Sequence, residues 1–335
     1  MENFELEDFQ EATRVIREYI PRTQLRKSAN LSNLLSAKIH LKLENQNVTG
    51  SFKIRGAIHS IKILKNIYDA FITASSGNHG SACAWALSRV NTVGKIYLPE
   101  KISEVKLEKL KKTECGLVFV DEVELAAKNA AEANKSKVKF LSPYNDLNII
   151  RGQGSIGIEI FQQCPKVDAV FVTVGGGGLI SGIAASLKLQ KPSIKIYGCL
   201  PKNSPVMKES IQAGKIIEMD SKPTLSDGSA GGIEPGAITF DICKELVDEW
   251  VTVTEEEIED AIYIAHKNDE QTIEGAAGVA LASMIKKSTE IKGKFVVTVL
   301  CGGNIDEKIH SKILFDRKKV RKTKIIRSLE EPESF

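Results

Sequence analysis

Apolar residues recur along this chain in two interleaved periods. Segments with apolar positions three and four apart, as in a helix with one buried face, are separated by short alternating or continuous apolar runs, as in strands. Helix spacing covers residues 7–18, punctuated by Pro21, and then 56–65, 80–89, 103–112, 122–134 and 179–189. Strand patterns fall at 39–43, 70–74, 94–98, 117–120, 138–141, 169–174, 194–199 and 295–300. Strands and helices alternating in this way predict an α/β protein with twisted, mostly parallel sheets flanked by helices. Residues 70–144 suffice for a compact small domain, and a second alternating series begins near Gly154 with no long linker or internal repeat.

Composition narrows the function classes. The 335 residues are 42% hydrophobic and 27% charged, ample for one large or two moderate cores. A formal net charge of +3 is too small to make nucleic acid the main partner. Seven basic residues crowd into 317–327, ahead of the acidic Glu330, Glu331 and Glu333. Without interleaved aromatics this reads as a solvated terminal segment, not a base-stacking arm. The acidic start Met1-Glu2-Asn3-Phe4-Glu5 lacks the basic-then-apolar order of a signal peptide. No apolar run approaches the roughly 20 residues that span a bilayer. Six cysteines are scattered without a Cys-x-x-Cys pair, the pattern of reduced thiols. The expectation is a soluble cytoplasmic protein with no membrane partner.

Four short segments carry chemistry. Thr49-Gly50-Ser51-Phe52-Lys53-Ile54-Arg55-Gly56 places Lys53 in a polar, glycine-flanked turn, where desolvation can lower an amine's pKa and make it nucleophilic toward an aldehyde. The apolar run 168–174 is followed by Gly175-Gly176-Gly177-Gly178 and a helix pattern. Strand, glycine loop and helix form a phosphate cradle: no Cβ keeps the anion away, and free N–H groups at the helix start face it. Ile180 stands where a dinucleotide fingerprint starting at Gly175 needs glycine, and the Gly-Lys-Ser/Thr of a P-loop is absent. Ser75-Ser76-Gly77-Asn78-His79-Gly80 makes a polar turn between a strand and a helix start, which also favours anions. Cys301-Gly302-Gly303-Asn304 ends the last predicted strand.

Together these segments, in this order and at these spacings, resemble the pyridoxal-phosphate enzymes of the serine/threonine dehydratase and serine racemase family, with the tryptophan-synthase-like fold (fold type II). The resemblance runs from about Thr23 to about Asp306. It implies a large cofactor-binding domain of residues 1–60 and 147–335, a small domain of 61–146, and no C-terminal regulatory domain. It makes Lys53 the residue that holds pyridoxal 5′-phosphate as a Schiff base, and the tetraglycine the phosphate loop. Phe52 would lie against the pyridine ring, Asn78 would hydrogen-bond its phenolic oxygen, and Cys301 would face its nitrogen, where relatives commonly carry serine. A neutral thiol there leaves the nitrogen less firmly protonated than a carboxylate would, which suits elimination. Ser75, Ser76, Gly77, Asn78 and His79 would bind the substrate carboxylate, with His79 more plausible as a capping or structural histidine than as a base. Gly228 and Glu274 also match segments near the cofactor.

Three outcomes share this machinery. Lys53 can take the Cα proton of L-serine, L-threonine or a related β-hydroxy amino acid, whose β-hydroxyl leaves and whose enamine hydrolyses to a 2-oxo acid and ammonia. A second base on the opposite face, Ser76, would instead racemise serine. A thiol could also add, as in cysteine synthases, although the motif context resembles dehydratases more closely. By this resemblance Leu200 and Val206 stand where metal-activated relatives carry carboxylates, and neither side chain can ligate a hard cation. No metal is therefore expected. The stretch 225–236 is similar to relatives acting on other β-hydroxy amino acids, such as hydroxyectoine-derived or phenylserine-type dehydratases. Relatives of this kind are commonly dimers or tetramers, so the resemblance implies a homodimer or homotetramer. A binding protein that kept the fold without catalysis would show neither visible absorption nor a Lys53 adduct.

Overall fold

The computed structural model describes residues 4–330, apart from 103, 112 and 114. Ser103 and Lys112, the ends of one predicted helix, lie outside the described residues, as do Met1 to Asn3, Glu331 and Glu333.

Among the described residues ten strands form two sheets. In chain order they are β1 (Leu25–Lys27), β2 (Lys38–Lys42), β3 (Ala70–Ala74), β4 (Val93–Pro99), β5 (Gly116–Val120), β6 (Val138–Phe140), β7 (Ala169–Thr173), β8 (Lys195–Pro201), β9 (Glu249–Val253) and β10 (Phe295–Val299). The six-stranded sheet has the order β1-β2-β10-β7-β8-β9 and the four-stranded sheet β5-β4-β3-β6. All pairings are parallel except β1 with β2. The central strand β7 is buried along its whole length, as its unbroken Ala-Val-Phe-Val-Thr requires of a strand covered on both faces. Phe171 on β7 stacks on Tyr197 of β8 with centroids 4.2 Å apart, locking that pairing.

The sheet order reverses direction beside β7 and β10 in the large sheet and beside β3 in the small one. Ligands of open α/β sheets gather at the carboxyl ends of strands near such reversals. The tetraglycine turn follows β7, Ser75 to His79 follow β3, and Cys301 to Asn304 follow β10.

Two helix starts differ from the sequence reading. Helix Lys53–Leu64 begins three residues early, so Lys53 is its first residue and not a turn residue. The turn sits further back, at Gly50 with φ +75°. Helix Asn78–Val90 likewise takes Asn78 into its first turn, with Gly77 as N-cap. In both places the sequence pattern marks as the boundary a glycine (Gly56, Gly80) that lies inside the first two turns of the helix. Gly80 is kept by close packing instead, since a Cβ there would lie 1.9 Å from the Ser75 carbonyl oxygen.

Among the described residues no helix is long and apolar enough to cross a membrane. The basic segment near the end lies on helix Glu307–Glu330. Its Arg317 is buried and bonded to Glu256 and Glu259, so this part of the segment packs rather than waves in solvent.

Candidate active site

The loops at the carboxyl ends of β3, β7 and β10, together with the lysine segment, enclose one cavity of about 840 Å³. Its wall contains Phe52, Lys53, Ser75, Ser76, Gly77, Asn78, His79, Gly175, Gly176, Gly177, Gly178, Gly228, Glu274 and Cys301. Every site residue expected from the sequence is thus brought to one space, from segments more than 200 positions apart.

The lysine segment is stitched to the end of β10. Phe52 N–H donates to the Cys301 carbonyl at 2.9 Å, Gly303 N–H donates to the Gly50 carbonyl at 2.9 Å, and Ser51 and Gly302 form an antiparallel bridge. Gly50 must be glycine, because its φ is positive and a Cβ would sit 2.6 Å from the Asn304 amide. Lys53 follows this bridge, its Nζ donating to the Pro143 carbonyl at 2.9 Å. Burial pulls the amine's pKa down to about 8, against the opposing influence of Cys83, Cys301 and Glu274. A lysine so placed is partly neutral near physiological pH, which an unperturbed lysine is not.

Helix Gly178–Gln190 starts at the tetraglycine turn, with Gly177 as N-cap at φ +88°. Among the described residues no protein acceptor takes the N–H groups of Gly175 to Gly178. Donors at a helix start with its positive dipole end behind them make an anion cradle. The glycines are also demanded by packing: a Cβ on Gly176 would lie 2.4 Å from the Tyr144 ring, and one on Gly178 would lie 2.8 Å from Tyr144 Cα.

Asn78 Nδ2 lies 2.9 and 3.0 Å from the two Glu274 carboxylate oxygens, while its Oδ1 accepts from Asn304 Nδ2 at 2.7 Å. Asn304 N–H donates to Glu274 Oε2 at 3.2 Å, and its Nδ2 also reaches the Thr49 carbonyl. Burial pushes the Glu274 carboxyl above its usual range, partly offset by Asn78. This network joins the helix after β3 to the segment after β10 along the cavity wall.

Cys301 is buried, and burial holds its thiol well above the ordinary range, so it is a neutral group. His79 is buried too, with Nε2 3.1 Å from the Leu141 carbonyl, and burial plus the Lys53 charge lower its pKa to about 3. The carbonyl partner places the proton on Nε2; His79 is a neutral, structural imidazole. Ser76 lines the cavity wall. Gly228 needs no tight fit: a Cβ there would meet Glu274 and Ala276 at ordinary contact distances. Leu200 ends up buried in β8 and Val206 buried at the start of helix Val206–Ala213. Among the described residues no three His, Cys, Asp or Glu side chains are gathered as metal ligands.

Sequence reasoning passed over Pro143, Tyr144, Ser229 and the side chain of Asn304. Asn304 closes the Cys-Gly-Gly-Asn motif and Ser229 lies within the 225–236 stretch, whereas Pro143 and Tyr144 come from a loop without a motif of its own.

A cavity joining an amine of lowered pKa to an anion cradle suits a phosphorylated aldehyde, and the residues present therefore fit pyridoxal phosphate. The comparisons agree. The chain is 38% identical to the L-threonine ammonia-lyase of Thermotoga maritima over 315 residues, 92% of this chain and 78% of that one. It is 36% identical to a catabolic L-threonine dehydratase of Staphylococcus aureus, covering 90% of this chain and 89% of the relative. Among solved structures, threonine deaminase isoform 2 of Solanum lycopersicum superposes with a TM-score of 0.86 at 30% identity, over 92% of both chains. Serine racemase of Dictyostelium discoideum superposes with 0.83 at 30% identity, over 91% of this chain and 99% of the other. The fold is that of the fold-type II enzymes. The family model described as pyridoxal-phosphate dependent enzyme matches residues 16–302, and on that span the chain belongs to the pyridoxal-phosphate dependent enzymes.

Proposed function

We propose that this protein is an ammonia-lyase that converts L-threonine, L-serine or a related β-hydroxy amino acid to a 2-oxo acid and ammonia by α,β-elimination. The observation that carries the reading is Lys53: one amine, with its pKa lowered to about 8, on the wall of the cavity that also holds the tetraglycine cradle. The names of the relatives support the same chemistry.

When bound, pyridoxal phosphate supplies an aldehyde for an amine and a ring that draws electrons away from Cα. The chain supplies the rest. Lys53 is the attachment point and, once its amine is free and neutral, the group that takes the Cα proton. The N–H groups of the tetraglycine turn hold the phosphate, and the turn at residues 75–79 holds the substrate carboxylate at the start of its helix. Phe52 would lie against a ring face. Asn78, whose amide donates to Glu274 and accepts from Asn304, would stand beside the ring's phenolic oxygen, and Cys301 would offer the ring nitrogen a neutral partner. Gly228 lines the same wall. In the same reading, residues 1–60 with 147–335 and residues 61–146 are two domains flanking the cavity, and the enzyme works in the cytoplasm as a homodimer or homotetramer.

Ser76 on the cavity wall keeps a second reading, serine racemisation with Lys53 and Ser76 as the two bases. One set of assays tests both: release of 2-oxo acid from L-threonine, L-serine and bulkier β-hydroxy amino acids, with D-serine followed in the same samples. Elimination predicts 2-oxo acid as the main product. D-serine without 2-oxo acid would replace the first reading by the second, and no turnover of any of them would overturn both.

A further inference from the structure

Beside the tetraglycine turn lies a pair of hydroxyls with no role assigned so far. Ser226 is fully buried and Ser229 is 7% exposed, and their Oγ atoms are 2.6 Å apart. The short 3-10 turn Asp227–Ser229 fixes this pairing, with Ser229 N–H donating to the Ser226 carbonyl at 3.0 Å. Ser229 abuts the first glycine of the cradle: a Cβ on Gly175 would lie 2.9 Å from Ser229 Cα. Ser229, but not Ser226, lines the cavity along with the four glycines.

Each hydroxyl carries one hydrogen. The 2.6 Å contact uses one of the two. Among the described residues the other has only the Ser226 carbonyl, 3.3 Å from Ser229 Oγ, well beyond the usual 2.7–2.8 Å of O–H···O bonds. With Ser226 donating to Ser229, the hydrogen without a well-placed acceptor belongs to Ser229, the residue of the pair that lines the cavity. Asp227, the neighbouring carboxylate, accepts from Gly228 N–H at 2.8 Å. A spare O–H donor beside free helix-start N–H groups is matched by an anion's oxygen.

We propose that Ser229 is a further ligand of the phosphate end of pyridoxal phosphate, donating its hydroxyl to a phosphate oxygen while Ser226 fixes the hydroxyl's orientation. The proposal rests on the reading that the tetraglycine turn holds that phosphate, and its test separates the two. Cofactor is stripped from the purified wild type, Ser229→Ala and Ser226→Ala proteins, and each is titrated with pyridoxal phosphate and with pyridoxal, following the absorbance of the bound form. Losing one charge-assisted hydrogen bond is expected to weaken Ser229→Ala for pyridoxal phosphate about tenfold. Its affinity for pyridoxal should stay at the wild-type value, and Ser226→Ala should lose less. Ser229→Cys, close in size with a weakly donating thiol, is expected to repeat the loss and guards against a folding defect in the alanine variant. Unchanged preference for the phosphorylated form in both Ser229 variants, or equal losses for the two ligands, would overturn the proposal. A wild type that does not distinguish the two ligands would instead overturn the phosphate reading of the glycine turn.

Discussion

Arg55 closes a two-point hydrogen bond on Glu44 inside the protein, Nε at 2.7 Å from Oε2 and Nη2 at 2.9 Å from Oε1. Neither side chain is exposed. Arg55 also reaches Thr23, Ser155 and Glu159, and Lys42 joins through Glu159 at 2.6 Å. The cluster ties helix Lys53–Leu64 to the end of β2 and to helix Leu147–Gln163, two residues beyond the reactive lysine. Removing one partner of such a network leaves a buried charge uncompensated, at a cost of about 3–5 kcal/mol. Arg55→Met and Glu44→Gln should each lower unfolding stability by that order in urea titrations. Arg14→Ala, which breaks an exposed pair with Glu11, should cost less than about 1 kcal/mol. Equal effects at the two sites would contradict this account of the cluster.

Glu159 gives the cluster a pH signature. Burial alone would raise its carboxyl, but Arg55 and Lys42 outweigh burial and hold it down to about 2. A carboxyl whose folded pKa lies below its unfolded value of about 4.5 stabilises the fold fully above that value. The contribution, on the order of 3 kcal/mol, is lost as pH falls from about 4.5 toward 2. Stability measured across this window should fall more steeply for the wild type than for Glu159→Gln, which starts lower at neutral pH. Parallel curves would rule out the assignment.

Gly176 faces the Tyr144 ring, and a Cβ would meet it at 2.4 Å. Gly176→Ala should displace the ring or the cradle and weaken pyridoxal-phosphate binding at least about tenfold. Gly176→Ala with Tyr144→Ala should recover part of the loss, as measured by cofactor titration. Wild-type binding by the single variant would show that the ring yields without cost.

Ser76→Ala separates elimination from racemisation. If Ser76 serves as the second base, D-serine formation should fall by a factor of about 10² or more while 2-oxo acid release changes little. Equal reductions in the two rates would remove Ser76 from that role.

Much of this was legible in the sequence because the buried parallel strands are nearly all apolar. β7 and β10 read directly, as does β3. The three-residue β1 (Leu-Arg-Lys) and β9 (Glu-Trp-Val-Thr-Val) carry polar residues at the sheet edges and gave no such run. The start of helix Glu255–Asp269 is marked by a capping box, in which Thr254 and Glu257 satisfy each other's backbone, and not by an apolar run. The site motifs were legible since Lys53, the four glycines and Cys301 each sit at the end of a recognisable element. Tyr144 and Ser229 were not, because their position against the glycine turn depends on how separate loops fold onto it. Arg55 looked like one more residue of a motif; only burial reveals it as the centre of an ion cluster.

The central claim is that one amine in this chain carries the cofactor. Holoenzyme reduced with borohydride, digested and analysed by mass spectrometry should carry a single pyridoxyl group, on the peptide containing Lys53. The Lys53→Ala protein should carry none and lack the visible band. A pyridoxyl group on a different lysine, or a Lys53→Ala protein that keeps the band and turns over substrate, would contradict the account.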